Sequence, residues 1–212
     1  DQLPLFRVHL AQLSDTQSML FFSAHHIIAD AWSCWVLMAE LLASHDDPSC
    51  ALPPAMPYSA QIADVDQEDD AWWGQELAAL PRHTPEALEQ IHEAQIRLKP
   101  RDWSSIQGAA RALKMSPFVL CLSCVARAIQ RVTEEGDLVV ATALSGREAR
   151  LDEVKGVVGP FARALPLRLR GEITPTKVHE VFRQVSAHAY VSMSSIARSV
   201  GSEALSLLGR YF

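Results

Sequence analysis

Two adjacent histidines, His25 and His26, are followed by an aspartate, Asp30, which stands four residues after His26. An imidazole with an unperturbed pKa of about 6.5 accepts a proton near neutral pH and returns it. Acid–base help from a positioned group raises a rate by about 10²–10⁴-fold. The histidine pair therefore indicates chemistry in residues 25–33. The alternative interpretation is that both rings only satisfy polar groups at the end of a strand.

The histidines lie between two predicted elements. The apolar run at residues 19–24 predicts a buried strand, and the periodicity of residues 32–43 predicts an amphipathic helix. Such a connection is where α/β proteins place reactive groups. Asp30 is too close to the turn to orient the ring of His26 as a triad carboxylate would. We interpret Asp30 as a carboxylate near the helix start, which favours the positive end of the helix dipole and can hold a distant cation.

Strands and helices alternate along the rest of the chain, which predicts an α/β protein. Strands are predicted at residues 5–10, 18–23 and 137–143, and helices at residues 70–80, 103–113 and 117–132. Ser116 is the predicted N-cap of the last of these helices. The alternation of leucines with Arg168 and Arg170 predicts a half-exposed strand, and Thr174 before a proline opens a predicted helix to about residue 196.

Composition and charge limit the possible partners and compartments. The 212 residues are 49% hydrophobic and can bury a sizeable core, and the net charge of −6 argues against nucleic acid or an anionic membrane as a partner. No apolar run of 18 residues predicts a membrane span. Cys121 and Cys124 form a CxxC in an apolar helix and are predicted to be buried thiols. No metal site is predicted, and a reducing cytoplasm is the expected location.

Several blocks of the chain, in order, resemble the condensation domains of nonribosomal peptide synthetases. The segment His25-His26-x-x-x-Asp30-Ala31-Trp32-Ser33 is similar to their HHxxxDG(W)S signature. It is similar, more distantly, to that of the acyltransferase superfamily that includes chloramphenicol acetyltransferase. Residues 137–147, DLVVATALSGR, resemble the family strand DIVVGTPVAGR, and residues 157–168, VVGPFARALPLR, resemble IGFFVNTLVLR. Tyr58 and the tryptophan pair at residues 72–73 are similar to the segment after the active-site helix.

The resemblance implies a fold and a division of the chain. The implied fold is an α/β two-layer sandwich like that of chloramphenicol acetyltransferase, with part of the N-terminal lobe missing. Residues 1–82 would be the remainder of that lobe, residues 83–95 a connecting helix or linker, and residues 96–212 a C-terminal lobe that is incomplete at its end. Two explanations of the missing portion stay open: the chain is an excised or truncated piece, or a second chain or segment supplies that portion as a partner.

The resemblance also implies roles for the residues of the motif. His26 matches the catalytic histidine, and His25 is its supporting neighbour. Asp30 matches an aspartate that forms a salt bridge with an arginine of the other lobe, and Arg147 is the matching arginine. Because such a bridge is buried, the loss of either partner is expected to damage folding as much as chemistry.

Six further positions are predicted to line the substrate channel. They are Ala31, Trp32, Ser33, Ser145, Gly146 and Arg163. Two of them depart from the family pattern. Ala31 stands in place of a glycine, where a Cβ is costly if the backbone needs a positive φ. Arg163 replaces an asparagine with a permanent cation, which changes the charge that an acceptor would meet.

The implied activity is transfer of an acyl or peptidyl group from a carrier-bound thioester to an acceptor amine, which forms an amide. Both substrates would arrive on the phosphopantetheine arms of donor and acceptor carrier domains, with no permanently bound cofactor. Two alternatives stay open. One is a free-standing acyltransferase of the same superfamily that uses coenzyme A esters, and the other is a catalytically inactive platform on which carrier domains dock.

Overall fold

The computed structural model describes residues 4–60, 67–80, 95, 97–147, 151–189, 191, 196 and 198. Both strands and helices are present in them, as the sequence predicts for an α/β protein. In chain order the elements are β1 (Phe6–Ser14), β2 (Gln17–Ala24), α1 (Ala31–Asp46), a 3₁₀ turn (Tyr58–Ala60), α2 (Gln67–Glu76), α3 (Pro100–Ala112), α4 (Pro117–Thr133), β3 (Asp137–Leu144), α5 (Leu151–Val154), β4 (Arg163–Arg170) and α6 (Pro175–Ala187).

The chain divides into two compact units, each made of two separate stretches of sequence. Unit 1 comprises Asp1–Asp64 and Leu144–Arg163, and unit 2 comprises Val65–Ala143 and Ala164–Phe212. The division into lobes at residues 1–82 and 96–212 stays a prediction. The predicted connecting segment at residues 83–95 lies outside the described residues, except for residue 95.

Strands β1 and β2 form an antiparallel hairpin in unit 1. Phe6 pairs with Ala24 and Ser14 with Gln17, with a register shift between Gln12 and Ser14. The predicted burial of β2 is wrong, because Met19 and Phe21 are 44% and 53% exposed. Within the described residues β1 and β2 pair only with each other. The apolar composition of a strand predicts that other residues pack over it. It does not specify which residues those are.

The core of unit 2 lies where helices α4 and α6 pack on strands β3 and β4. It contains Val119, Ala126, Leu138, Val140, Leu169, Ile173 and Val178. The predicted caps at Ser116 and Thr174 are confirmed. The Oγ atom of Ser116 accepts the N–H of Val119 at 3.2 Å, and the Oγ1 atom of Thr174 accepts the N–H of Lys177 at 3.3 Å.

Strand β4 is buried and not half-exposed, which corrects the prediction from its alternating leucines and arginines. Residues 165–169 are all buried, and Arg168 is only 6% exposed. The burial is possible because Arg168 is paired: its Nε and Nη2 atoms donate to Asp137 at 2.9 and 2.6 Å. Its Nη1 atom donates to the carbonyl oxygens of Glu76, the last residue of helix α2, and of Ala78, two residues beyond it.

Two further predictions in unit 2 are wrong. Helix α6 ends at Ala187 and does not continue to residue 196. There, the His188 carbonyl accepts the indole N–H of Trp73 at 2.9 Å, and the His188 ring bonds to Asp69 at 2.6 Å. Tertiary contacts with helix α2 thus replace another helical turn. In helix α4, Cys124 is exposed and Cys121 half-buried, so the CxxC is not a pair of buried thiols.

Among the described residues, no single helix has the length and apolar character needed to cross a membrane. Helices α3 and α4 reach the required length and composition only as a pair, and that pair is bent by 98°.

Candidate active site

The histidine pair lies on a short turn between strand β2 and helix α1, in unit 1. The N–H of His25 donates to the Leu5 carbonyl at 2.7 Å, and the His25 carbonyl accepts the N–H of Ile28 at 3.0 Å. The Nδ1 atom of the His25 ring accepts the N–H of Ile27 at 3.2 Å. A ring nitrogen that accepts a hydrogen bond carries no proton, so a neutral His25 has its proton on Nε2. His25 therefore supports the turn, and both His25 and His26 are exposed.

Asp30 ends this turn and begins helix α1. It is the N-cap residue, and its Oδ1 atom accepts the N–H of Ser33 at 2.7 Å. Its Oδ2 atom accepts the N–H groups of Phe161 and Ala162, each at 3.1 Å. The carboxylate is 2% exposed. We call residues 25–30 the histidine turn. Asp30 thus joins the end of the histidine turn to residues 161–162, which come from the second stretch of unit 1.

Arg147 forms an ion pair with Asp30 inside unit 1. Its Nη2 atom lies 3.1 Å from Oδ1 and 3.2 Å from Oδ2 of Asp30, and the arginine side chain is fully buried. Its Nη1 atom donates to the carbonyl oxygens of Val154 and Val157 at 2.9 and 3.0 Å. Both partners belong to the same compact unit, so in this structure the pair is internal to a unit and does not link two of them.

The surroundings of Asp30 act on its pKa in opposite directions. Burial alone would raise the pKa of this carboxyl group. The hydrogen bonds from Ser33, together with the attraction and hydrogen bonds of Arg147, outweigh burial and lower the pKa below its ordinary value. Asp30 is therefore ionised at neutral pH and serves as a fixed negative charge.

The guanidinium group of Arg147 is also held by aromatic rings. Its central carbon lies 3.9 Å from the centroid of Phe161 and 5.9 Å from that of Trp32. Its Nε–H has no hydrogen-bond partner among the described residues. The face of the Phe161 ring supplies a favourable electrostatic contact at this point.

Glycine residues allow two close approaches around this ion pair. Gly146 has a φ of +69°, and a Cβ atom there would lie 1.9 Å from the carbonyl oxygen of Phe161. A Cβ atom on Gly159 would lie 2.3 Å from the ring of Tyr58. Tyr58 in turn packs edge-on against Phe161, with ring centroids 4.9 Å apart. Only glycine fits at residue 146 with this backbone.

The predicted channel residues have different environments. Ala31 is the first residue of helix α1, is exposed and does not have a positive φ, so the expected strain of a Cβ is not present. Trp32 is 39% exposed, and its indole N–H donates to the Lys155 carbonyl at 2.8 Å. Ser33, in contrast to the prediction, is fully buried.

The remaining two predicted positions lie at the ends of strands. The Oγ atom of Ser145, just after β3, accepts the N–H of Arg147 at 3.2 Å. Arg163 is half-buried at the start of strand β4.

Sequence reasoning missed several contributors to the site. The carbonyl groups of Val154 and Val157 bind Arg147, and Tyr58 packs against Gly159. The two carbonyl groups carry no side-chain signal that a motif could have revealed. Tyr58 and Gly159 belong to segments that resemble the family, but the resemblance assigned neither a role.

No metal site is found in the part of the chain that the structure describes, since no group of three or more His, Cys, Asp or Glu side chains there could hold an ion.

Comparison with known proteins identifies the family. Residues 1–200 match the condensation domain family. Chondramide synthase cmdD of Chondromyces crocatus is 27% identical in an alignment that covers 93% of this chain and 6% of the synthase. Phosphinothricin tripeptide synthetase PhsB of Streptomyces viridochromogenes is 30% identical over 78% of this chain and 16% of its own length. The chain therefore spans a small part of these relatives.

Solved structures show the same fold. SgcC5 of Streptomyces globisporus superposes with a TM-score of 0.71 at 21% identity, over 97% of this chain and 51% of SgcC5. The first condensation domain of the calcium-dependent antibiotic synthetase, in complex with a substrate analogue, gives a TM-score of 0.70 at 20% identity, over 93% of this chain and 51% of that chain. The predicted fold is thus confirmed, and the chain spans about half of each structure. The chain belongs to the condensation domain family.

Proposed function

We propose that this chain is the part of a condensation domain that carries the catalytic histidine, in a protein that forms amide bonds between carrier-bound substrates. The observation that supports this most directly is the exposed ring of His26 on a turn that is held at both ends. His25 bonds to Leu5 on one side, and Asp30 bonds to Arg147 on the other.

In the proposed reaction the amine of the acceptor attacks the carbonyl carbon of a donor thioester. The new C–N bond forms, the C–S bond breaks, and the thiolate of the donor arm leaves. His26 orients the amine or accepts its proton, which finally resides on the departing sulfur.

Asp30 does not serve as a carboxylate partner of His26 in this proposal. Its two oxygens already accept from Ser33, from Arg147 and from the N–H groups of residues 161–162. The role of Asp30 is to hold the turn, and the proton transfer depends on His26 alone among the residues of the motif.

The proposed substrates are an acyl or peptidyl group on a donor carrier domain and an amino group on an acceptor carrier domain, each on a phosphopantetheine arm. Tethering on short linkers gives effective concentrations of about millimolar, and correct orientation supplies a large part of the rate. The similarity to a chondramide synthase and to a tripeptide synthetase supports this assignment. The four cysteines are free thiols, which supports a reducing compartment such as the cytoplasm.

The test is the substitution His26→Ala in the intact protein that contains this chain. Donor and acceptor carriers are loaded with amino acids, and the dipeptidyl carrier is measured by mass spectrometry. We expect His26→Ala to reduce the rate by about 10²–10⁴-fold. His45→Ala is the matched control, because His45 is an exposed histidine in the last turn of helix α1, and its loss should leave the rate unchanged.

Two results would contradict the proposal. An undiminished rate in His26→Ala would remove the catalytic assignment. Equal turnover when a coenzyme A thioester replaces the loaded donor carrier would favour the free-standing acyltransferase instead.

A further inference from the structure

The Ser33 hydroxyl group lies at the centre of the buried contacts around Asp30. Ser33 is the third residue of helix α1, in the first helical turn, and it is fully buried. Its Oγ atom is 2.7 Å from Oδ1 of Asp30 and 3.2 Å from Nη2 of Arg147. The N–H of Gly159 donates to the same oxygen at 2.9 Å, and the Gly159 carbonyl lies 2.8 Å away.

The hydrogen-bonding capacity of this hydroxyl group is fully used. A serine hydroxyl has one proton to donate and two lone pairs that accept. The proton goes to the ionised Asp30, because a charged acceptor gives the stronger bond. The lone pairs accept from Gly159 and from Arg147. The Gly159 carbonyl also lies 3.5 Å from the Nη2 atom of Arg147, at the upper limit of hydrogen-bond distance.

These bonds connect the histidine turn to residues 159–162 at two points. Asp30 binds the N–H groups of Phe161 and Ala162, and Ser33 binds the N–H of Gly159. If the contact of Asp30 with residues 161–162 were alone, residues 159–162 could rotate about it relative to helix α1. A second contact at residue 159 prevents that rotation and fixes the direction in which helix α1 begins.

We propose that Ser33 is a positioning residue for His26. Only residues 26–29 separate His25, which is bonded to Leu5, from Asp30. A shift of the helix start is therefore passed directly to the His26 ring. The proposal rests on the proposed function, because it assumes that the orientation of His26 matters for catalysis. It assigns to Ser33 a role in holding geometry, with no contact to substrate.

The test compares Ser33→Ala with Ser123→Ala in the intact protein. Ser123 is the matched control because it is 3% exposed and donates to the Leu120 carbonyl of its own helix, α4. Both variants lose one buried hydroxyl group. Single-turnover rates with loaded carriers are measured at a temperature at which circular dichroism shows each variant to be folded.

We expect Ser33→Ala to slow the single turnover by at least about tenfold and by up to about 10²-fold, because displacements of about 1 Å have effects of that size. The KM for the acceptor carrier should change little, since Ser33 touches no substrate. Amide hydrogen exchange should accelerate at Gly159 more than at Phe161, whose partner is Asp30. Ser33→Cys keeps a weak donor of similar size and should give an intermediate rate.

Each outcome decides the proposal. If Ser33→Ala slows the reaction no more than Ser123→Ala does, while His26→Ala is inactive, the positioning role is overturned and the proposed function stands. If His26→Ala keeps its activity, the proposed function fails whatever Ser33 does. If Ser33→Ala does not fold, Ser33→Cys is compared with Ser123→Ala, with the same two readings of its rate.

Discussion

Each unit of the molecule contains a buried arginine paired with an aspartate. In unit 1, Arg147 is fully buried and binds Asp30, which is 2% exposed. In unit 2, Arg168 is 6% exposed and binds Asp137, which is 31% exposed. Both guanidinium groups also donate to backbone carbonyls of a neighbouring segment: Arg147 to residues 154 and 157, and Arg168 to residues 76 and 78.

The same chemistry has different consequences in the two places. Arg168 binds carbonyl groups at the end of helix α2 and just beyond it and so attaches that helix to the β3–β4 pair. Arg147 instead binds Asp30 and Ser33, at the end of the histidine turn and in the first turn of helix α1. A buried arginine therefore does not by itself mark a functional site. What distinguishes Arg147 is that its carboxylate partner stands four residues after His26.

The largest effect is expected for Asp30→Asn, which leaves the charge of Arg147 buried without a counter-ion. Breaking one side of a buried pair typically destabilises by about 3–5 kcal/mol. We expect a loss of that order in urea unfolding and a melting temperature lower by several degrees. Asp47→Asn is the control, since Asp47 is exposed and its carboxylate only accepts hydrogen bonds from the nearby Ser49. Unchanged stability in Asp30→Asn would show that the pair does not hold unit 1 together.

A smaller effect is expected for Asp137→Asn. Asp137 is 31% exposed, so water partly solvates its charge, and Arg168 keeps its bonds to backbone carbonyls. We expect a loss of about 1–2 kcal/mol by urea unfolding. Glu180→Gln is the control, because its ion pair with Arg183 is exposed on both sides and should contribute nothing measurable. A loss as large as that of Asp30→Asn would remove the distinction between the two pairs.

The smallest effect concerns the dependence of stability on pH. The pKa of Asp30 is lowered as described above, and the pKa of Asp137 is lowered chiefly by its hydrogen bonds with Arg168. A lowered carboxyl pKa stabilises the folded state above the ordinary value of 3.8. That contribution disappears as pH falls through the folded-state pKa, by at most about 1.4 kcal/mol per pH unit for each proton.

The measurement is the urea midpoint at a series of pH values from 7 down to 3. The wild-type protein should lose stability steeply between pH 5 and pH 3. The loss per pH unit should be smaller in Asp137→Asn and in Asp30→Asn than in the wild type, because each variant lacks one of the two carboxylates. Identical slopes in all three proteins would mean that neither carboxylate is linked to folding in the expected way.

Features that depend on local sequence were predictable. Ser116 and Thr174 cap helices because a short polar side chain before a proline satisfies free N–H groups within three residues. Burial was not predictable in the same way. Strand β2 is apolar but exposed, and strand β4 contains arginines but is buried, because each outcome depends on residues far away in the sequence.

In the candidate site, too, contacts between residues far apart in the sequence could not be predicted from local patterns. The Asp30–Arg147 pair joins residues 117 positions apart, and only the resemblance of two separate motifs to one family put them together beforehand. Ser33 was assigned to a channel from its place in a motif. Its burial and its bonds to Gly159 depend on the path of residues 157–162, which no local pattern in helix α1 encodes.

The crowding at Gly146 limits how this part of the molecule can vary. A methyl group there would meet the Phe161 carbonyl, whereas at Gly108, Gly136 and Gly156 it would meet open space. Any side chain at residue 146 would therefore have to displace the main chain of residue 146 or of residue 161, whereas a Cβ on the other three glycines meets no such obstacle. A substitution beside Arg147 thus changes the path of the backbone and not the side-chain packing alone.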